Sequence, residues 1–358
     1  MRISPTSKPQ IFITMGDPSG IGPEVIMKAM ASPEIKGLAV FVIVGDSGVM
    51  ERAAAGVYEG NIKVHHDNAS GKILLDEEAV NIIDPTTPLK NTVPGTPSEE
   101  GARKALDALA SAVTLMQASS GAGAALVTAP LSKERTARIK PGFIGHTEYL
   151  QEAYSAAHVT MVLAGETLCV APVTRHIPLK AVASSLSVDL IVETLKQVVE
   201  NRKIICGKED AVIGVSALNP HCGEGGKIGT EEIDMILPAV EKAKAVYKNI
   251  QGPISADVIF HKAREKKIDI VVSMYHDQCL APFKMVDFDT GVNMTLGLGH
   301  VRTSPDHGTA FDIAGKGIAR AGSMKQAIKL AARALFAHAP EGHARKGVDE
   351  WPSVQDSA

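Results

Sequence analysis

Short apolar, β-branched runs alternate with amphipathic segments along nearly the whole chain, and this alternation restricts the fold more than any other feature. Such runs suit strands buried on both faces, and the amphipathic stretches between them supply the helices that cover those faces. The pattern predicts an α/β fold. Strands are expected at Ile11–Met15, Ala39–Val44, Ile62–His66, Ala124–Thr128, Ala211–Leu218, Ile268–Met274 and Val292–Leu296. Val159–Ala164 and Thr167–Val173 flank Gly165-Glu166, which reads as a hairpin and makes the sheet mixed. Helices are expected to open at Pro23, at Ser98-Glu99-Glu100, at Ser187 (running to Arg202) and at Ser323 (running to His338).

At 358 residues the chain exceeds the length at which one core usually stops growing. Two lobes are therefore expected, interleaved because no linker or repeat separates them. They would share residues 11–339 and enclose a cleft, after a polar extension at 1–10 and before a polar tail at 340–358.

Composition excludes several function classes. A net charge of -3 without a Lys/Arg block argues against nucleic-acid binding, and 4% aromatic residues leave little for base stacking. No apolar run reaches membrane-spanning length, and Met1–Gln10 lacks the apolar segment of a signal peptide. A cytoplasmic protein is expected. Cys169, Cys206, Cys222 and Cys279 form no CxxC pair, which suits reduced thiols. Three nucleotide or nucleophile signatures are missing: G-x-G-x-x-G after the first strand, the P-loop, and G-x-S-x-G. A Rossmann fold is not expected.

Three histidines follow β-rich runs at breaks in the chain: His176 in T-R-H-I-P-L, His221 in N-P-H-C-G-E-G-G, and His276 in M-Y-H-D-Q. Imidazole is the commonest transition-metal ligand, and strand ends bring ligands together from distant sequence. The three suggest an open metal site, although any one of them alone would more often be structural. If His221 and Cys222 are extended, their side chains point to opposite faces and do not share an ion. Gly16, Gly20 and Gly22 sit between a strand and a helix, where they suit either an anion cradle or a tight turn. His146 and Thr147 open a helix and suit an anion or an ordinary cap. Lys284 is read in a loop, Asn293 on a strand face away from Val292 and Met294, and Arg302 as a bidentate clamp for phosphate or carboxylate. Within Ser304–Gly317, Asp306, His307 and Gly308 are candidate nucleotide contacts in a loop opening a helix; a plain loop and cap accounts for the same residues.

Together G-D-P-S-G-I-G-P-E, V-T-A-P-L-S-K, G-H-T-E, T-R-H-I-P-L, N-P-H-C-G-E-G-G, Y-H-D-Q, G-V-N-M-T-L-G and R-T-S-P-D-H-G-T-A-F-D-I-A-G resemble the 4-hydroxythreonine-4-phosphate dehydrogenase family, in order from about Thr14 to the last helix. The resemblance implies a two-lobed fold similar to isocitrate and isopropylmalate dehydrogenases, a homodimer, and NAD or NADP bound outside the Rossmann pattern. It implies that His176, His221 and His276 hold a divalent metal (zinc, magnesium or cobalt) at a site shared between subunits. His146, Thr147, Lys284, Asn293 and Arg302 would bind a small phosphorylated substrate. The implied reaction oxidises 4-phosphohydroxy-L-threonine and decarboxylates it to 3-amino-2-oxopropyl phosphate, in pyridoxal phosphate biosynthesis. Lys284 would assist proton transfer or neutralise a carboxylate, and Asp257 would orient a ligand histidine. Met285–Thr290 departs from the family pattern, with two extra acids, Asp287 and Asp289, placed to alter the accepted substrate. D-threonate or D-erythronate 4-phosphate is therefore an alternative substrate. A metallohydrolase or phosphate acyltransferase is the alternative of another class.

Overall fold

The runs at Val40–Val44, Val80–Asp84 and Ala124–Thr128 are buried along their whole length, as strands covered on both faces must be. They belong to a computed structural model that describes residues 2–3, 6–66, 72–85, 89, 92–118 and 123–338. The tail at 340–358 lies outside the described residues. The chain forms two units: Met1–Ala156 with Leu298–Ala358, and Ala157–Gly297.

The first unit opens with β1 (Arg2–Ile3), inside the stretch read as a polar extension, and continues with β2 (Gln10–Thr14), α1 (Gly22–Met30), β3 (Val40–Val44) and α2 (Ser47–Ala54). There follow β4 (Ile62–His66), β5 (Lys72–Ile73), β6 (Val80–Asp84), α3 (Glu99–Ala118), β7 (Ala124–Thr128), α4 (Lys133–Ile139) and α5 (His146–Ala153). The hydroxyl of Ser98 accepts from the Gly101 amide and starts α3 as read from sequence.

The second unit contains β8 (Thr160–Ala164), β9 (Cys169–Thr174), α6 (Val182–Ser185), α7 (Val188–Cys206), β10 (Ile213–Ser216), α8 (Leu237–Lys244), β11 (Ile250–Ile254), α9 (Ala256–Arg264), β12 (Ile270–Tyr275), α10 (His276–Asp287) and β13 (Val292–Leu296). The chain then completes the first unit with β14 (Val301–Pro305) and α11 (Gly322–His338).

In the first unit the strand order β14-β7-β2-β3-β6-β4 is parallel throughout. In the second, β11, β10, β12 and β9 run parallel, and β8 is antiparallel to both β9 and β13. The mixed α/β fold predicted from sequence is present. Among the described residues no helix is long and apolar enough to cross a membrane.

Two local readings need correction. Lys284 lies in the last turn of α10, not in a loop. Pro282 makes this segment read as a break, but Cys279, Phe283 and Asp287, spaced four apart, are buried on one face and hold the helix across the proline. Ser304 and Pro305 end β14, and the segment after them is a series of turns rather than a helix opening; the helix begins only at Gly322.

Candidate active site

Arg302, second in β14, is only 3% exposed. Its Nη2 donates to the Thr128 hydroxyl at 2.6 Å, at the end of the adjacent β7. Burial lowers its pKa to about 10, so it stays cationic at neutral pH. His146, first residue of α5, is half-buried. Burial, with repulsion from Arg302 and Lys133, pushes its pKa down to about 3, against the attraction of Glu148. It is therefore a neutral imidazole. Thr147 is buried, and the helix starts at Gly145 with no side-chain cap, leaving its first amides without the usual acceptor. A buried guanidinium, a neutral imidazole and a helix N-terminus form a site for an anion. Lys133 belongs to this group and was not singled out in the sequence. Its only signal was the T-A-P-L-S-K run.

The Gly16–Gly22 segment is resolved in favour of the tight turn. The Asp17 amide donates to Pro130 O, the Ser19 amide to Asp17 Oδ1, the Gly20 amide to Asp17 O and the Ile21 amide to Thr309 O. Those donors are consumed internally. Gly16, at φ +73°, has Pro130 O 2.3 Å from where a Cβ would stand, so the close strand–loop approach requires glycine.

All three histidines follow parallel strands at their C-terminal ends, the edge where open α/β sheets carry ligands. Thr174 ending β9 is in register with Tyr275 ending β12, and the Thr174 hydroxyl donates to Met274 O at 2.8 Å. His176 lies just past β9 and His276 just past β12, with ring centroids 5.4 Å apart. Nδ1 of His276 is 2.6 Å from Asp277 Oδ1. His221 follows β10, the other neighbour of β12, and pairs with Glu224 at 3.0 Å. Its surroundings are not extended as the sequence suggested. His221, Cys222 and Glu224 have φ of 51°, 56° and 47°, left-handed values that cost roughly 1–2 kcal/mol per non-glycine residue. Cys222 turns away to Pro253 O. Among the described residues no group of three His, Cys, Asp or Glu side chains is placed to hold one ion. A single chain therefore brings two of the three histidines together.

Asp257, in the first turn of α9, takes the Ser255 hydroxyl; this bond, with the attraction of His221, lowers its pKa. The carboxylate bonded to His221 is that of Glu224. Lys284 places Nζ 5.4 Å from the Phe288 ring centroid. Asn293 pairs with Leu163, which pairs with Val170. That is four residues, or about 13 Å, from the β9 end that leads to His176. Lys284 is likewise eight residues, or about 12 Å, along α10 from His276. Asn293 thus lies toward the opposite end of this unit's strands from His176. The Asp306 amide donates to the Ser323 hydroxyl, His307 Nδ1 sits 3.0 Å from Gly308 O, and Gly308 is open where a Cβ would stand.

The family profile described as pyridoxal phosphate biosynthetic protein PdxA matches residues 37–331. Relatives named 4-hydroxythreonine-4-phosphate dehydrogenase from Trichlorobacter lovleyi and Geobacter metallireducens are 39% and 41% identical, over 92% of this chain and 98% and 96% of theirs. The chain belongs to the PdxA family. The solved 4-hydroxythreonine-4-phosphate dehydrogenase of Klebsiella pneumoniae is similar at TM-score 0.77 and 34% identity, over 93% of this chain and 99% of that one. A terephthalate 1,2-cis-dihydrodiol dehydrogenase from Burkholderia xenovorans is similar at TM-score 0.64 and 25% identity, over 91% and 98%.

As a PdxA-family member the chain is a nicotinamide-dependent oxidoreductase, and the family implies a divalent metal in general. The histidines fit such an ion in donor type and, for His176 and His276, in spacing. Gly308, with nothing within 4 Å of where its Cβ would stand, leaves open space beside Asp306 and His307.

Met285–Thr290, read from sequence as departing from the family pattern, contains the end of α10. Asp287 is 2% exposed, and its carboxylate is engaged by backbone amides. Its carboxylate accepts from the Thr167 and Leu168 amides at the β8–β9 turn, and Gly165 sits so close that a Cβ there would lie 2.4 Å from Asp287 Cγ. It fastens α10 to the hairpin. Asp287→Ala is expected to destabilise the protein by about 1–3 kcal/mol, because buried amides lose their acceptor. The substrate preference should stay unchanged. Urea unfolding beside a substrate panel checks both; a changed preference at unchanged stability would return Asp287 to the substrate-selecting role.

Proposed function

We propose that this PdxA-family chain oxidises 4-phosphohydroxy-L-threonine at its secondary hydroxyl, with NAD or NADP as acceptor, and that decarboxylation yields 3-amino-2-oxopropyl phosphate. The observation that carries the reading is the buried Arg302 guanidinium beside neutral His146 at the uncapped start of α5. Arg302 offers a phosphate two parallel N–H donors. Neutral His146 donates one more bond without a charge that would need its own counter-ion. The α5 amides, with Thr147, complete the anion's shell. Lys133 raises the local positive potential at the rim, since it is exposed.

His176 and His276 would hold the metal, joined by His221. A divalent ion there supplies Lewis-acid charge that lowers the pKa of the substrate hydroxyl. Lys284 takes or returns a proton, or offsets the substrate carboxylate, and Asn293 binds the substrate beside it. Asp306, His307 and Gly308 remain the proposed cofactor contacts. Asn293 lies about 13 Å along the strands from the β9 end that leads to His176, and Lys284 about 12 Å along α10 from His276. The reading includes a homodimer whose metal site is shared between subunits, since one chain brings together only His176 and His276, and it places the protein in the cytoplasm.

The relatives' names do not favour the phosphorylated sugar acids as substrate. The test is reduced-nicotinamide formation with metal present, comparing 4-phosphohydroxy-L-threonine with D-threonate and D-erythronate 4-phosphates. The highest kcat/KM is expected for the amino acid. A preference for either hydroxy acid would replace the substrate while keeping the mechanism.

A further inference from the structure

His221 is the histidine its own chain leaves apart, so its ring must be set in place by its immediate surroundings. Its Nδ1 lies 3.0 Å from Oε1 of Glu224. An ionised carboxylate only accepts, so Nδ1 carries the proton and Nε2 keeps the lone pair that a metal needs. We infer that Glu224 is the positioning residue that fixes the tautomer and ring direction of His221 toward a divalent cation. The inference rests on the reading of His221 as a metal ligand.

The backbone explains why these two side chains meet. Residues three apart on a strand project to opposite faces. Here His221 to Gly225 curl with φ between 47° and 76°, and the curl brings position 224 back to position 221. Such a conformation persists only when its surroundings over-determine it. Glu232 does so from below: buried at 3% exposure, it accepts from the Leu218 and Asn219 amides at 2.8 and 2.7 Å. Its Oε2 also takes Asn219 Nδ2. Gly223 is pressed against it, with no room for a Cβ beside Glu232 Oε2 and Gly229 O, each 2.8 Å away. The turn is thus built by Glu232. Glu224 is half exposed and its bond is to the imidazole.

His276 repeats the arrangement, with Asp277 on its Nδ1 at 2.6 Å. Two of the three histidines therefore have a carboxylate at Nδ1, which would leave Nε2 for a metal. Carboxylates so placed typically account for about 10–100-fold in metal affinity.

The test uses the full-length protein without substrate and Co²⁺ as the probe, with affinity from competition against a chromophoric chelator and the visible absorption of the bound ion. Glu224→Ala is expected to weaken Co²⁺ about 10–100-fold and to change the absorption, at an unchanged thermal midpoint. Glu224→Gln keeps an acceptor for Nδ1–H and should recover most of the affinity. Glu232→Ala should instead lower the thermal midpoint. If Glu224→Ala binds Co²⁺ with the wild-type affinity and spectrum while His221→Ala loses it, Glu224 has no positioning role and the metal reading stands. If His221→Ala itself binds as wild type does, both readings fall.

Discussion

Arg302→Met is expected to lower kcat/KM for the phosphorylated substrate by about 30-fold to several thousand-fold, the equivalent of roughly 2–5 kcal/mol for removing one partner of a desolvated charge pair. Methionine fills a similar volume and Thr128 loses one bond, so the fold should survive. Arg302→Lys keeps the charge but offers no planar fork, and it should also fall well below wild type. The decisive control is the substrate without its phosphate. If Arg302 holds the phosphate, Arg302→Met and wild type should turn over 4-hydroxythreonine at similar, low kcat/KM. An equal loss with both compounds would move Arg302 away from the phosphate. A second readout comes from His146, whose pKa of about 3 is set first by burial and next by Arg302. Removing the guanidinium should raise that pKa, and the imidazole resonances followed by NMR during acid titration would show it. The depressed value also fixes a sign. Unfolded His146 binds a proton near pH 6.5 and the folded residue does not, so its contribution to stability is complete above that pH. It is lost as the pH falls toward 3.

The strands were legible because their physics is local. Ala124–Thr128 and Val292–Leu296 form as the apolar pattern indicates, since mostly buried apolar runs leave few alternatives; Ile62–His66 forms as the edge strand, only partly buried. The histidine placements were legible for the same reason: each follows such a run, and parallel pairing carries the strand ends to one edge. What failed depended on contacts across the sequence. Lys284 was misplaced because Pro282 advertises a break, while the buried face of Cys279, Phe283 and Asp287 that overrides it is visible only once the helix is packed. Asp287 looked like a substrate-facing acid because nothing nearby reveals that the Thr167 and Leu168 amides, far upstream, are its partners. The left-handed curl at His221 had a signal, the glycines at 223, 225 and 226, but its depth is set by Glu232. Glu224 and Asp277 were legible in hindsight as acids three and one residues after a candidate ligand.

His276→Ala should produce the largest loss of any single change in the second unit. The residue opens α10, and that helix start is fixed without it: Gln278 takes the Met274 amide on Oε1 at 2.7 Å and donates from Nε2 to Ala217 O at 2.7 Å. Alanine is well tolerated in a helix, so the variant should fold with its thermal midpoint intact. Only the imidazole proposed to hold the metal is removed. Metal-borne charge stabilisation is worth several kcal/mol, so kcat/KM should fall by about a thousand-fold or more, and metal content after dialysis should fall with it. Asp277→Asn keeps His276 but weakens the acceptor on its Nδ1, and should cost only about 10–100-fold in metal affinity. His261 provides the comparison: it is exposed on α9 and paired to Glu265 at 3.1 Å, so His261→Ala should leave metal content and turnover as they are. A His276→Ala protein that retains its metal and its turnover would show that the ion, if bound, sits elsewhere. A graded loss from His261→Ala through Asp277→Asn to His276→Ala would instead assign the effect to the imidazole lone pair at the end of β12, because only that group changes in step with it.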